Sequence, residues 1–265
     1  MMDDLRGDEG DKDRNFVTAL ARGLEILRCF RDGEVSLTNS DFSERTGLPK
    51  ATISRLTFTL CALDYLVADA RVGTYRLSAG VLHLGFSVLS GIDIHDLAQK
   101  EMERLRDGPN SYITVALGEQ HKLEVVYVAA CTSREGVALV ARIGSHLPLF
   151  PSAIGQSILV GMDDDAREAV FELAGRESAQ TEAEGRLRYS EAKSVYEVKG
   201  YCTGYGIWRK DVNGIAVPVF SMNGAKVYGL NVGGPSSRVK PKQLETIYAP
   251  RLIQASTVLS IQSPR

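Results

Sequence analysis

Lys50, Thr52, Ser54, Arg55 and Thr59 lie within one short stretch of the chain, and all are short or basic hydrogen-bonding groups. That chemistry suits the edges of base pairs. An arginine can donate paired hydrogen bonds to guanine, and serine or threonine hydroxyls can bond to bases or phosphate. Ala51 lies among them and keeps this side of the segment slim. Arg71 and Arg76 follow and add positive charge beside the same surface.

Such groups need a helix to present them, and the pattern supplies one. From Lys50 the apolar residues Ile53, Leu56, Leu60 and Leu63 recur at helical spacing, which predicts an inward face opposite the polar one. The chain breaks just before, at Thr46-Gly47-Leu48-Pro49, where glycine allows positive φ and proline fixes the first turn of the next helix. Upstream, Leu37, Phe42 and Leu48 predict a short helix and turn beginning near Asn39, Ser40 or Asp41. Downstream, residues 65–67 and 74–77 predict two strands around Arg71-Val72-Gly73, a small wing. An ordinary helical hairpin with a solvated polar face is the competing reading. The glycine-bearing hairpin directly after the second helix favours a DNA-binding module.

At these residues the chain resembles a family. The run LTNSDFSERTGLPKATISRLTFTLCALDYLVADARVGTYRLSAGVLHLG resembles the winged helix-turn-helix of IclR-type bacterial transcriptional regulators. The segment ALARGLEILRCF is similar to their first helix, with Leu20, Leu24, Leu27 and Phe30 expected on the buried side. RIGSHLPLFPSAIGQSILVGM and GIAVPVFSMNGAKVYGLNVGGPSSRV resemble their effector-binding domain. The resemblance covers almost everything beyond about Asn15.

The expected architecture is α+β: an N-terminal winged helix-turn-helix domain, a linker helix and a C-terminal GAF-like effector-binding domain with an antiparallel sheet. The boundaries expected are a disordered acidic tail over residues 1–13, the winged domain over 14–77, the linker helix over 78–91 and the effector domain over 92–265. A helix is expected over 93–106, capped by Asp93, followed by strands over 112–117, 123–130 and 137–141. Glu119-Gln120-His121-Lys122 is expected to close the first hairpin. Helices over 154–162, 164–174 and 188–199 precede strands over 201–205, 214–220 and 226–233, the last two joined by a turn at Asn223-Gly224. A helix over 242–261, kinked at Pro250, ends the chain.

Composition sets limits. With 44% hydrophobic residues the chain can build real cores, and no apolar run approaches the roughly 18 residues that span a bilayer. The first thirteen residues hold six acids and two bases and have no signal-peptide character. Cys29, Cys61, Cys131 and Cys202 are far apart, which suits reduced thiols in a cytoplasm and neither a disulfide scaffold nor a thiolate metal site. The net charge of −2 masks a local excess: residues 14–76 carry nine bases and seven acids. One such module binds DNA weakly, so a dimer reading two half-sites is expected.

The resemblance implies a small effector in a cup between the sheet and the loop-helix matching residues 148–159. Ser152, Ala153, Ile154 and Gly155 would form one wall, where small side chains and the start of a helix can receive a carboxylate. Asp211, Ile215, Val217 and the strand bearing Asn231 and Gly233 would form the other. Relatives that take very small carboxylates show paired serines where this chain has Asn231 and Gly233, which suggests more room and a different hydrogen-bond pattern. Tyr201, Tyr205 and Trp208 could stack on an aromatic ligand. Close helix–sheet packing explains the small residues equally well.

The function expected is a ligand-responsive regulator of catabolic genes, repressor or activator. It would sense a small organic acid, an aromatic one included, and bind double-stranded operator DNA as a homodimer or dimer of dimers, with no membrane role. Two alternatives stand beside it: a DNA-binding protein without a ligand, and an enzyme fused to a DNA-binding domain. Ser152, Ser157, His146 and Asp211 are the groups an enzyme would use, yet no Gly-x-Ser-x-Gly elbow, His-Glu-x-x-His motif or nucleotide-binding glycine pattern accompanies them. No catalytic residue, metal or cofactor is expected.

Overall fold

A computed structural model describes residues 15–31, 33–92, 95–135, 141–221 and 224–260. The acidic tail, the Asp93 cap, most of the strand expected over 137–141 and Asn223 of the expected turn lie outside the described residues. The chain divides after Val88 into two compact units, the boundary falling inside the expected linker helix.

In the first unit, helix α1 (Thr18–Arg28) is followed by strand β1 (Leu37–Thr38), helix α2 (Asn39–Thr46) and helix α3 (Lys50–Ala62). Thr38 caps α2 through a reciprocal capping box with Asp41, and Gly47 ends it at φ 69°. Strands β2 (Leu66–Asp69) and β3 (Thr74–Leu77) form the wing, with β3 central between β1 and β2. Leu37 therefore lies in a strand rather than in the expected helix, because the capping box starts the helix one residue after Thr38. The core gathers Ile26, Cys29, Leu37, Phe42, Ile53, Leu60 and Leu66, with the Phe30 ring edge-on to Phe42 at 5.7 Å. Leu20 and Leu24 are exposed, contrary to expectation, and Ile26 is the fully buried residue of α1. Leu63 is likewise exposed, while Thr57 is buried and donates its hydroxyl proton to the Ile53 carbonyl. Helix α4 (Ala79–Ser90) carries no acid or base except His83 and exposes Leu82, Leu84, Phe86 and Val88.

The second unit begins with helix α5 (His95–Arg106) and strands β4 (Thr114–His121), β5 (Glu124–Cys131) and β6 (His146–Pro148). Helices α6 (Ala153–Gly161), α7 (Asp164–Glu177) and α8 (Ala179–Lys199) precede β7 (Cys202–Tyr205), β8 (Val212–Phe220) and β9 (Val227–Pro235). The six strands pair antiparallel in the order β6-β5-β4-β9-β8-β7. Glu119, Gln120 and His121 belong to β4, so the first hairpin turns at Lys122, where φ is 55°. Helix α8 starts nine residues before the expected position.

Each sheet face has its own core. Ile113, Val115, Leu117, Ile215, Val217, Leu230 and Val232 pack against α5 and the C-terminal helix Ala249–Ser260. Ala116, Val125, Tyr127 and Ala216 pack instead with Ile154 and Ile158 of α6 and Phe171 of α7. Before the C-terminal helix, Leu244–Tyr248 forms a π-helical turn. Pro250 cannot donate a backbone hydrogen bond, and the wider turn accommodates it where a simple kink was expected.

Candidate nucleic-acid interface and effector cavity

Helix α3 shows Lys50, Ala51, Ser54, Arg55 and Thr59 to solvent and half-buries Thr52. Lys50, Ala51, Ser54 and Arg55 are exposed on the outward side; Thr52 and Thr59 lie at its flank and, with Arg55, border an apolar groove against α1. The Thr59 hydroxyl is spent on its own helix, donating to the Arg55 carbonyl at 3.0 Å. Phe58, absent from the expected set, is 75% exposed and falls on the outward face with Ala51, Ser54 and Arg55. The spacing 51, 54, 55, 58 is that of one helical stripe and could have revealed it. In the wing, Gly73 at φ 70° closes the turn and donates to the Asp69 carbonyl at 2.8 Å. The Arg71 backbone amide donates to the Asp69 carboxylate at 2.9 Å, which leaves its side chain projecting from an anchored turn.

The second site is a cavity of about 30 Å³, room for water-sized groups, between the start of α6 and the sheet. Ser152 caps α6, accepting from the Gly155 amide at 3.1 Å and donating to the Leu149 carbonyl at 3.3 Å. Five expected residues line the cavity: Ser152, Ala153, Ile154, Asn231 and Gly233. Tyr127, Leu147, Pro151, Gly204, Trp208, Arg209, Val212, Asn213 and Gly214 complete the wall.

The other five expected residues are elsewhere. Gly155 packs onto the Leu149 backbone so tightly that no β-carbon fits. Ile215 and Val217 belong to the core on the opposite sheet face; with a period of two, Gly214 lies on the α6 face and lines the cavity, while Ala216 on that face packs with Ile154. Tyr205 packs against that same opposite core and donates its hydroxyl proton to Glu245 at 3.1 Å. Asp211 is exposed and ion-pairs with Arg209 at 2.5 Å, which holds its carboxyl below the usual carboxylate range. Tyr201 is buried in the opposite core. Gly233 does not open space, since a β-carbon there would lie 2.8 Å from the Asn213 carbonyl oxygen.

Charge and polarity at the cavity are uneven. Arg209 is the basic group on its wall, with its guanidinium 5.6 Å from the centre of the Trp208 ring. Burial pushes the Tyr127 hydroxyl up to about 12, so it is neutral at physiological pH. The groups an enzyme would need are not assembled. Ser157 donates to the Ile154 carbonyl, His146 faces Glu124 at 3.8 Å and Asp211 faces Arg209.

A winged helix-turn-helix unit followed by an antiparallel-sheet domain with a helix-capped cavity defines a DNA-binding transcriptional regulator with an effector-type second domain. The model of the IclR helix-turn-helix domain matches residues 19–70, and that of the bacterial transcriptional regulator IclR C-terminal domain matches residues 86–261. The chain belongs to the IclR family of bacterial transcriptional regulators. It is 35% identical over 241 residues to the HTH-type transcriptional regulator TsaQ1/TsaQ2 of Comamonas testosteroni, covering 90% of this chain and 86% of that one. An IclR family regulator from Brucella abortus has a similar crystal structure, with 37% identity, a TM-score of 0.78 and coverage of 100% and 99%. An IclR homologue from Microbacterium hydrocarbonoxydans, solved with 4-hydroxybenzoate, shares the fold at 21% identity and a TM-score of 0.73, over 92% and 98% of the two chains.

Proposed function

We propose that this regulator controls catabolic genes in the cytoplasm in response to a small organic acid, bound in the cavity beneath α6. The observation that carries the reading is the meeting of Arg209, the α6 N-terminus and the Trp208 and Tyr127 rings around one cavity in a domain of effector-binding type. Arginine and free helix amides attract a carboxylate, and the rings accept an aromatic or other planar body. An acid larger than a water-sized group displaces residues 206–210. Gly206 of that segment sits at φ 67°, and Trp208 and Arg209 supply the rim. The relative bound to 4-hydroxybenzoate is consistent with this class of ligand.

On the DNA side, Lys50, Ala51, Ser54 and Arg55 of α3 face the major groove of a double-stranded operator, with Thr52 and Thr59 at its margin and Arg71 of the wing on the backbone. Residues 78–91 act as the linker between the two domains. The protein works as a homodimer, or a dimer of dimers, whose two winged units read two half-sites. A groove of about 660 Å³ lined by leucines of α1, α3 and α4, and bordered by Thr52, Arg55 and Thr59, supports self-association.

A mobility shift on DNA upstream of neighbouring genes, with and without benzoate-type acids, tests the reading. An acid-dependent change in operator affinity without chemical conversion of the acid supports it; turnover of the acid overturns it.

A further inference from the structure

We infer that Asn231 reads a hydrogen-bond donor on the effector, so that the cavity takes a hydroxy-substituted carboxylic acid in preference to its unsubstituted parent. This rests on the reading of the cavity as the effector site. On the face toward α6, one transverse row of the sheet runs Ala130, Ala116, Asn231, Ala216, Cys202, as the strand registers fix it. The next row runs Thr114, Gly233, Gly214, Gly204. Asn231 thus stands between two alanines, Ala116 and Ala216, in its row.

Its surroundings leave it incomplete. Asn231 is 8% exposed, and its Oδ1 has no hydrogen-bond partner among the described residues. A buried acceptor without a donor is costly, so native structures rarely leave one. Asn213, by contrast, is spent: its amide donates to the Val239 carbonyl at 2.9 Å.

The chemistry of the missing partner follows. Oδ1 accepts and cannot donate, so a carboxylate, which also only accepts at neutral pH, cannot satisfy it. The acid group belongs at the other side, with the amides of Ala153 and Ile154 at the start of α6, which have no helix carbonyl to reach, and beside Arg209, where it would share the guanidinium with Asp211. A second group carrying a proton, a hydroxyl in the simplest case, must then face Asn231. An analogue lacking that proton leaves Oδ1 buried and unpaired, and rejection of this kind is stronger than a size mismatch gives.

The test uses the full-length protein in calorimetry with five probes: acetate, glycolate, benzoate, 4-hydroxybenzoate and 4-fluorobenzoate. Fluorine fills the para position but has no proton to donate. The expected result is that at least one hydroxy acid binds about 10- to 100-fold more tightly than its parent, with 4-fluorobenzoate grouped with benzoate. Asn231→Ala should erase the difference between each hydroxy acid and its parent. Equal binding of hydroxy acid, parent and fluoro acid overturns the role of Asn231 and leaves the cavity as effector site intact. A hydroxyl preference that survives in Asn231→Ala overturns it too. If none of the five binds, or if binding is unchanged in the cavity-narrowing Gly214→Ala variant, the effector reading itself fails and takes the inference with it. The comparison in the wild-type protein needs no variant to fold.

Discussion

Arg45 grips Glu34 through both guanidinium nitrogens, at 2.6 and 2.8 Å, and the same side chain donates to the Cys29 carbonyl at 2.6 Å. One residue near the end of α2 thereby ties down the chain that leaves α1. The pair also lowers the Glu34 carboxyl from about 4.5 to about 2, chiefly through the Arg45 hydrogen bonds. A depressed carboxyl contributes stability that is present above its unfolded value and lost as pH falls through the folded one. Amide exchange around residues 29–45 should therefore accelerate as pH is lowered from about 4.5 toward about 2, after correction for intrinsic exchange. Glu34→Gln should flatten that dependence. An identical acid profile in the variant would remove the pair from the account.

Arg55 is exposed in the outward stripe of α3. Arg55→Ala should cost about 1–3 kcal/mol of specific operator binding and relax preference at one base position. Circular dichroism and melting should hardly move. Unaltered operator affinity would take Arg55 off the recognition surface.

Arg71 projects from a wing turn that Asp69 and Gly73 already hold, so its charge is free to act on phosphate. Arg71→Ala should weaken specific and non-specific DNA alike and reduce the slope of log affinity against log salt by about one. An effect confined to one operator sequence would make Arg71 a reader of bases instead.

Gly214 and Gly233 face each other across β8 and β9, yet they should tolerate a methyl group differently. A β-carbon on Gly214 meets nothing nearer than 3.4 Å, whereas on Gly233 it meets the Asn213 carbonyl oxygen at 2.8 Å. Gly214→Ala should fold, bind operator as the wild type does and weaken 4-hydroxybenzoate or benzoate by narrowing the cavity. Gly233→Ala should lose about 1–3 kcal/mol of stability, the usual cost of overpacking. Thermal melts beside calorimetry separate the two outcomes. Equal melting temperatures would refute the contrast.

Thr38 and Asp41 set the start of α2 by exchanging hydrogen bonds, the Thr38 amide to the carboxylate at 2.7 Å and the Asp41 amide to the hydroxyl at 3.2 Å. Thr38→Ala should cost about 0.5–2 kcal/mol. Urea unfolding measures the loss, and Thr38→Ser should restore most of it.

The winged unit was legible because its punctuation is local. Gly47 and Pro49 stop one helix and start the next, and Gly73 marks the wing turn. The cavity was half legible for a physical reason. Every residue of β8 from Val212 to Val219 is buried, because helices cover both faces of the sheet. A strand buried on both sides loses its polar–apolar alternation, and with it the sign that tells one face from the other. Ile215 and Val217, expected on the cavity wall, face the opposite core, while Gly214 of the same strand lines the cavity. Asn231 and Gly233, named through the family resemblance, line the cavity. The early start of α8 was hidden by a segment polar on nearly all sides, from Ala179 to Arg188, with little amphipathic period to read. Leu20 and Leu24 misled for the opposite reason: they make a good apolar stripe, but one that the single chain leaves uncovered.

That uncovered stripe has a thermodynamic consequence. Phe16, Leu20 and Leu24 by α1 and Leu82, Phe86 and Val88 of α4 are large apolar side chains left in water. Any association that covers it removes the folded monomer from its equilibrium with the unfolded chain and so raises apparent stability by mass action. Where the covering partner is a second copy of the chain, the thermal midpoint rises with protein concentration. Protein abundance in the cell would set how intact the DNA-reading unit is, before any effector arrives.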